Sequence, residues 1–328
     1  MEYVRLSGTD LKVSRLAIGG MSFGDATKGK QDWVLSYPRT REVLAEAFSL
    51  GYNFIDTANC YAEGTSEEYI GRALKELGIP REKVVLQSKV YYNPGKLSKA
   101  AIEREIDGSL SRLQTSYLDV YVLHRFDYAT PIEETLGALE DLYKAGKIRY
   151  LGASSMYPEQ FQAYLDQAKS YSLPPFVEMQ DSRNLIYREE EKAMIPLLKL
   201  IGIQEVVYSP LAAGRLARPW SSDTKRYKDD PVARAKFDSF REQDAPVLNE
   251  VGRLAAKYHV SYSAIALAWL LSKKEVASLL IGATKEKHLQ EATQAFEVSL
   301  TEEDIQGLEK NYRPHPLIGV IPPPSSAK

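Results

Sequence analysis

The sequence is poor in cysteine and has no long apolar run. Cys60 is the single cysteine among 328 residues, so no disulfide can form within the chain and no oxidising compartment is required. The N-terminal residues lack the apolar core of a signal peptide, and no segment approaches the roughly 18 apolar residues of a membrane span. We therefore expect a cytoplasmic protein that does not insert into a membrane.

An excess of charge of one sign is absent as well. The formal net charge is -2, with 44% hydrophobic and 26% charged residues, which is typical of an ordinary globular protein. Nucleic-acid binding normally requires a cationic field, so we expect no nucleic-acid partner. His259, His288 and His315 are too scattered to form a metal site, and none is predicted. The composition leaves the oligomeric state open.

Two common phosphate-binding motifs are also missing. No G-x-G-x-x-G sequence follows a strand pattern, so a dinucleotide would not be held by a Rossmann unit. The segment from Gly24 to Gln31 resembles a P-loop, but Gln31 stands where Ser or Thr would bind Mg²⁺, and Pro38 interrupts a following helix. We interpret this segment as a surface loop.

Short apolar segments alternate with helical patterns along the chain, mostly at intervals of roughly 30 residues, the length of one βα unit. The eight candidate strands are Leu16 to Ile18, Asn53 to Ile55, Val84 to Leu86, Leu118 to Leu123, Tyr150-Leu151, Phe176 to Met179, Val206-Val207 and Ala277 to Ile281. This pattern favours an α/β fold, a closed (β/α)₈ TIM barrel formed by residues 1–328 as one domain. An open doubly wound sheet is the alternative.

Three segments stand outside the repeat. A polar turn at Ser7 to Asp10 predicts an N-terminal β-hairpin over residues 1–15. Residues 212–244 predict a long polar loop, either a lid over a site or a surface insertion, before helical spacing resumes at Pro246 as one of the extra C-terminal helices. Residues 312–328 predict a C-terminal tail that Pro322 to Pro324 make stiff.

Helix boundaries carry local signals. Thr65 with Glu68, and Thr130 with Pro131 and Glu133, predict capping boxes at two helix starts. Three glycines, Gly51, Gly78 and Gly146, predict left-handed caps at helix ends.

Ionisable residues end three consecutive predicted strands. Asp56 closes the second strand, Lys89 follows the third and His124 follows the fourth, while Tyr61 lies five residues beyond Asp56. The carboxyl ends of barrel strands meet at one face, so these four side chains are predicted to lie together. Each alone is more often structural than catalytic, but their joint placement predicts a catalytic site.

This set suits proton donation to a carbonyl oxygen that becomes an alkoxide. A phenol is a weak acid at neutral pH, and a nearby Lys89 ammonium would lower the pKa of Tyr61. Asp56 would keep Lys89 charged, and His124 would orient the substrate oxygen or share the proton.

Several motifs together resemble the aldo-keto reductases across nearly the whole chain. They are Gly51 to Tyr61 (GYNFIDTANCY), Ser88-Lys89, Leu123-His124-Arg125, Gly152 to Ser155, Met179-Gln180, Tyr208 to Arg215 and Ile281 to Lys285. Tyr187 to Glu191 and Gly282 to Lys285 are most similar to the bacterial and fungal branch related to potassium-channel β subunits. The resemblance implies an NADP(H)-dependent oxidoreductase acting on a small-molecule carbonyl substrate.

The resemblance also implies a set of cofactor-binding residues. Ser154, Ser155 and Gln180 would hold the nicotinamide carboxamide, and Tyr208 would stack on the nicotinamide ring. The other implied contacts are Gly20, Met21, Ser209, Leu211, Arg215, Gly282, Ala283, Thr284, Lys285 and His288. In this set, Lys285 opens a helix after the last strand, where backbone N–H groups attract anions.

Two other functions remain open on the sequence. Lys89 could form a Schiff base in a barrel aldolase or isomerase, because a desolvated lysine can act as a nucleophile. Alternatively, the chain could be a nicotinamide-binding, redox-sensing module with slow turnover.

Overall fold

Eight parallel strands close into a barrel in the computed structural model, which describes residues 1–29, 31–220 and 230–324. The strand order around the barrel follows the chain, so each βα unit adds the neighbouring strand and the last strand pairs with the first. The barrel strands are β3 (Leu16–Gly19), β4 (Phe54–Asp56), β5 (Val85–Val90), β6 (Leu118–Leu123), β7 (Ile148–Ser154), β8 (Phe176–Ser182), β9 (Gln204–Tyr208) and β10 (Val276–Ile281). The predicted (β/α)₈ barrel is confirmed.

An antiparallel hairpin of β1 (Tyr3–Arg5) and β2 (Lys12–Ser14) lies across the N-terminal end of the barrel. The Ser7 backbone N–H donates to the side chain of Gln204 at 2.7 Å, where β9 begins. Leu6 and Leu11 are buried in the same apolar cluster as the barrel valines. The hairpin predicted from the sequence is confirmed, and it closes the end opposite the polar strand ends.

Helices surround the barrel, and an apolar layer lies between them and the strands. Three glycines, Gly51, Gly78 and Gly146, follow helix ends with positive φ angles of 87°, 64° and 70°, as predicted. The helices are α1 (Tyr37–Ser49), α2 (Thr65–Glu76), α3 (Lys99–Leu113), α4 (Ile132–Lys144), α5 (Pro158–Ala168), α6 (Met194–Ile201), α7 (Pro231–Phe237), α8 (Arg241–Tyr258), α9 (Tyr262–Leu271), α10 (Glu286–Thr293) and α11 (Glu302–Glu309). In the described ranges, no helix is long and apolar enough to cross a membrane.

Both predicted capping boxes are wrong. Thr65 is already inside α2, and its hydroxyl donates to the Ala62 carbonyl at 2.7 Å instead of capping the helix. Before α4, Pro131 occupies the N-cap position and the Thr130 hydroxyl donates to the Asp127 carboxylate at 2.7 Å. In each case the threonine hydroxyl binds an acceptor three residues earlier in the sequence, a local contact that competes with capping of the helix.

The segment predicted as a long loop over 212–244 contains two helices in its described part. Asp230 caps α7 by accepting the Ala233 N–H at 2.9 Å, and α8 begins at Arg241, five residues before the predicted start at Pro246. Pro246 therefore lies inside α8, where it cannot donate the usual hydrogen bond to the carbonyl of Glu242. Residues 221–229 of the predicted loop lie outside the described residues.

The C-terminal tail has no regular structure from residue 312 to 324, but it is fixed to the barrel by specific contacts. Tyr312 donates to the Glu189 carboxylate at 2.6 Å, and the Ile318 N–H donates to the Tyr187 hydroxyl at 3.1 Å. Tyr128 donates to the Ile321 carbonyl at 2.9 Å. The tail therefore follows the loop after β8 toward the C-terminal face of the barrel.

Candidate active site

The four predicted catalytic residues meet at the C-terminal end of the barrel. Strand register places Asp56 beside Gln87 of β5, and Lys89 lies two residues further along the same strand. His124 follows the last residue of β6, and Tyr61 starts a short 3₁₀ turn between β4 and α2. The chain order of the strands thus brings together residues from three βα units, as the sequence predicts.

Lys89 is the centre of the hydrogen-bond network. Its buried ammonium donates to the Asp56 carboxylate at 2.7 Å, to the Thr57 carbonyl at 2.8 Å and to the Tyr61 hydroxyl at 3.2 Å. The Asp56 carboxylate also accepts the side-chain amides of Gln87 at 2.7 Å and Gln180 at 3.0 Å. All three ammonium protons are therefore used, and one points at the phenol.

Charges in this network are set by burial and by pairing. Burial by itself lowers the pKa of Lys89, but the Asp56 carboxylate and Tyr61 outweigh burial and raise it to about 12. Burial raises the pKa of Tyr61 to about 12 as well, and the Lys89 ammonium opposes this shift only in part. The predicted lowering of the Tyr61 pKa by Lys89 is present, but burial outweighs it. The phenol keeps its proton at neutral pH.

His124 lies beside Tyr61, with ring centroids 6.0 Å apart. Burial, followed by the charges of Arg125 and Lys89, lowers the pKa of His124 well below its usual range. The imidazole is therefore neutral, and its Nδ1 atom is buried with no hydrogen-bond partner among the described residues. A neutral ring next to the phenol can hydrogen-bond a substrate oxygen without adding charge.

Cys60, next to Tyr61, shows no sign of activation. Burial, only partly offset by Lys89, raises the pKa of the Cys60 thiol to about 11. A thiol with a raised pKa is a poor nucleophile, which agrees with its interpretation as a packed apolar residue.

Sequence reasoning missed four residues of this region: Tyr92, Arg125, Gln87 and Glu178. Tyr92 packs edge-on against His124, with ring centroids 5.0 Å apart, and is half-exposed at the mouth. A period-two pattern could have found the other polar residues inside the barrel, because Gln87 precedes Lys89 by two and Glu178 precedes Gln180 by two. Arg125 was part of the Leu123-His124-Arg125 motif, but the sequence analysis assigned it no role.

The residues predicted to contact the nicotinamide lie at the ends of β7, β8 and β9. The Ser155 and Tyr208 hydroxyls are 3.1 Å apart, and the Ser155 N–H donates to Asp181 at 3.0 Å. Ser154 lies within 3.4 Å of Ser155, hydroxyl to hydroxyl. Gln180 connects this group to Asp56. The structure thus places the predicted carboxamide contacts next to the predicted catalytic residues.

The chain after β9 has an unusual backbone. Ser209, Ala212, Ala213 and Gly214 all have positive φ angles, from 48° to 93°. The N–H groups of Ala212, Gly214 and Arg215 donate to carbonyls within this turn, which fixes its shape. Arg215, which ends this turn, is ion-paired with Asp238 at 2.9 Å. The predicted residues Ser209, Leu211 and Arg215 therefore belong to one compact turn after β9.

Two further groups of predicted cofactor residues follow β3 and β10. Gly20 packs tightly against β4, because a Cβ atom at this position would lie 2.8 Å from the Asp56 carbonyl. Met21 beside it is exposed. After β10, Lys285 is exposed at the N-cap position of α10, and the Thr284 N–H donates to His288 Nδ1 at 3.3 Å. Gly282 and Ala283 connect strand and helix. An exposed lysine at a helix start fits a phosphate.

The fold and the site define an enzyme of the (β/α)₈-barrel class that handles protons at the C-terminal mouth of the barrel. A model of the aldo/keto reductase family matches residues 15–313. The chain belongs to the aldo-keto reductase family. The family prediction made from the motifs is confirmed.

Named relatives agree over almost the full length. The chain is 37% identical to the versiconal hemiacetal acetate reductase of Aspergillus parasiticus, covering 96% of this chain and 98% of that protein. It is 36% identical to an aldo-keto reductase of Fusarium vanettenii and to one of Alternaria alternata, each covering 97% of this chain and 93% of the relative. The protein is an oxidoreductase of the kind that reduces carbonyl groups of small molecules.

Proposed function

We propose that the protein reduces an aldehyde or ketone to an alcohol with NADPH, and that Tyr61 donates the proton. The observation that carries this proposal is the protonated Tyr61 phenol, 3.2 Å from a Lys89 ammonium that Asp56 keeps charged. The neutral ring of His124 lies beside the same phenol. This arrangement provides an acid and an orienting group at one point of the mouth.

The proton transfer follows from these contacts. Bound NADPH supplies a hydride to the carbonyl carbon. Tyr61 then gives its O–H proton to the carbonyl oxygen as negative charge develops there, because an alkoxide is a stronger base than a phenolate. The Lys89 ammonium stabilises the phenolate that remains, and solvent returns the proton later. The reverse oxidation uses the same groups with Tyr61 as the base.

Particular side chains would hold the cofactor. Gln180 has already given its amide N–H to Asp56, so its oxygen is left to accept from the nicotinamide carboxamide. Ser154 and Ser155 would supply hydroxyls to the same group, and Tyr208 would cover the ring. The remaining contacts would be Gly20, Met21, Ser209, Leu211 and Arg215 along the nicotinamide and pyrophosphate, and Gly282, Ala283, Thr284, Lys285 and His288 around the adenosine phosphate.

The Schiff-base alternative finds no support in the geometry. A lysine nucleophile must be neutral and reachable, whereas Lys89 is fully buried, donates to three oxygens and has a raised pKa. The alternative of a slow redox-sensing module shares every binding feature, so turnover decides between it and a reductase.

The test is NADPH oxidation by the purified protein against a panel of aldehydes, ketones and sugar phosphates, with NADH in parallel. The proposal expects turnover on at least one class of carbonyl and a preference for NADPH. Tight NADPH binding without turnover on any member of the panel would favour the sensing module. Equal use of NADH would contradict the NADPH assignment.

A further inference from the structure

Arg125 is a buried cation at the mouth of the site, and no carboxylate of the described residues forms an ion pair with it. Its side chain donates to the His124 carbonyl and lies 3.4 Å from the Ser154 hydroxyl, while Nε is buried without a hydrogen bond among the described residues. The two other deeply buried arginines differ, because Arg183 binds Glu205 at 2.8 Å and Arg215 binds Asp238 at 2.9 Å. An unpaired buried guanidinium is costly, so its position needs a reason.

The guanidinium faces the groups that surround the proposed reaction centre. Its central carbon is 5.7 Å from the centroid of the half-exposed Tyr92 ring, which itself packs on His124. The charge of Arg125 adds to burial in lowering the pKa of His124, and it opposes the burial that raises the pKa of Tyr208. Arg125 therefore lies between the predicted orienting group and the predicted nicotinamide contact.

The nearby carboxyl of Asp181 does not neutralise Arg125. Burial, together with the charges of Glu190 and Glu205, raises the pKa of Asp181 well above its usual range, and Arg125 opposes this only in part. The Asp181 Oδ1 atom accepts the Ser155 N–H at 3.0 Å, and its Oδ2 atom has no hydrogen-bond partner among the described residues. Arg125 therefore forms no ion pair with Asp181 in the part of the chain that the structure describes.

A second cation faces the same space. Lys236 of α7 lies 5.9 Å from the centroid of the Tyr208 ring, and burial followed by repulsion from Arg125 lowers its pKa. The charge of Asp230 opposes this shift only in part, and no carboxylate of the described residues forms an ion pair with Lys236. Two cations that repel each other across a mouth are stabilised by an anion between them.

We propose that Arg125, with Lys236 as a second contributor, forms a subsite for an anionic substituent on the carbonyl substrate. The preferred substrates are therefore aldehydes or ketones that also carry a carboxylate, which matches the planar fork of a guanidinium. This inference rests on the proposed carbonyl reduction, because it places the anion beside the same reaction centre. It adds substrate selection to that function.

The test compares two aldehydes that differ only in charge, 4-formylbenzoate and its methyl ester. An aromatic probe suits a mouth that Tyr92 lines. Charge-assisted pairing predicts that wild-type kcat/KM for the acid exceeds that for the ester by about ten- to a hundredfold. Arg125→Met should bring this ratio close to one, Arg125→Lys should keep part of it, and Lys236→Met should lower it by a smaller factor.

A matched control is Arg253→Met, which removes the same charge from an exposed arginine of α8 that pairs with Glu250. Its acid-to-ester ratio should equal that of the wild type. Thermal unfolding of each variant reports whether it folds, and NADPH titration reports cofactor binding. A wild-type ratio near one, or an equal loss for both aldehydes in Arg125→Met, would overturn the inference. Weaker NADPH binding with an unchanged ratio would assign Arg125 to the cofactor instead.

A binding measurement separates this inference from the proposed reaction. Calorimetric titration with 4-(hydroxymethyl)benzoate and with its methyl ester is done in the presence of NADPH, where the alcohol has no hydride acceptor and no turnover can occur. A preference for the anion that Arg125→Met abolishes would support the subsite even if no carbonyl of the panel were reduced. Absence of any preference would reject the subsite even if reduction were efficient.

Discussion

Replacing Glu178 by glutamine should stabilise the protein at neutral pH. Glu178 is fully buried inside the barrel, next to the side-chain amides of Gln87 and Gln180. Burial, followed by the negative charge of Asp56, raises the pKa of Glu178 to about 8. The carboxyl is therefore mostly protonated in the folded protein at pH 7. A glutamine side chain has nearly the same shape and carries no charge at any pH.

The size of the effect follows from proton linkage. An unfolded glutamate titrates near 4.5, so between about pH 4.5 and 8 the folded state holds a proton that the unfolded state releases. The free energy of unfolding consequently falls as pH rises through this window. The higher pKa in the folded state lowers the free energy of unfolding by roughly 5 kcal/mol above pH 8 and by about 3 kcal/mol at pH 7. Both figures are upper bounds, because the surroundings of the carboxyl group can relax.

The assay is urea unfolding followed by circular dichroism at several pH values from 5 to 8. The difference in unfolding free energy between Glu178→Gln and the wild type should grow in favour of the variant as pH rises. Glu103→Gln, at a half-exposed carboxylate of α3, serves as the control and should show no such trend. Parallel pH profiles for Glu178→Gln and the wild type would refute the buried, protonated state.

Three further predictions concern the active site and the cofactor. Asp56→Asn removes the carboxylate that raises the pKa of the neighbouring ammonium, so the alkaline limb of the pH–rate profile should move to lower pH; an unmoved limb would argue against the pairing. Lys285→Met should weaken NADPH binding about ten- to a hundredfold in fluorescence titration and leave NADH binding nearly constant. Lys287→Met, which removes an exposed ion pair with Glu291 on the same helix, should change neither affinity. An equal loss for both cofactors would assign Lys285 a structural role. Gly319→Ala would place a Cβ atom 2.3 Å from the Tyr208 hydroxyl, at a residue whose φ is +88°. Because Tyr208 is proposed to cover the nicotinamide ring, the variant should bind NADPH more weakly. Unchanged affinity would show that the tail can move away without displacing Tyr208.

The sequence predicted the barrel and the meeting of Asp56, Tyr61, Lys89 and His124 because both depend on strand order. Parallel strands in a repeating βα chain must end at one face, whatever the details of packing. The consequences of burial were not predictable in this way. Lys89 lowers the Tyr61 pKa as expected, but burial raises it further, and the size of that burial depends on the depth of the whole site.

The capping predictions failed because a second local contact competed with each of them. The Thr65 and Thr130 hydroxyls bind acceptors three residues earlier in the chain. The lack of an ion-pair partner for Arg125 among the described residues depends on tertiary structure and could not be read from the sequence. The tail was predicted as a stiff extension, and its approach to Tyr208 through Gly319 requires the folded barrel.

The most direct test of the central claim is the rate of NADPH-dependent carbonyl reduction by Tyr61→Phe under saturating cofactor. Loss of a general acid predicts a turnover about 10² to 10⁴-fold below that of the wild type, with NADPH affinity nearly unchanged, because the phenol only ends the network and does not hold it together. Tyr143→Phe, at an exposed tyrosine of α4, should keep wild-type turnover. Wild-type turnover in Tyr61→Phe would contradict the account, because the proton would then come from another group.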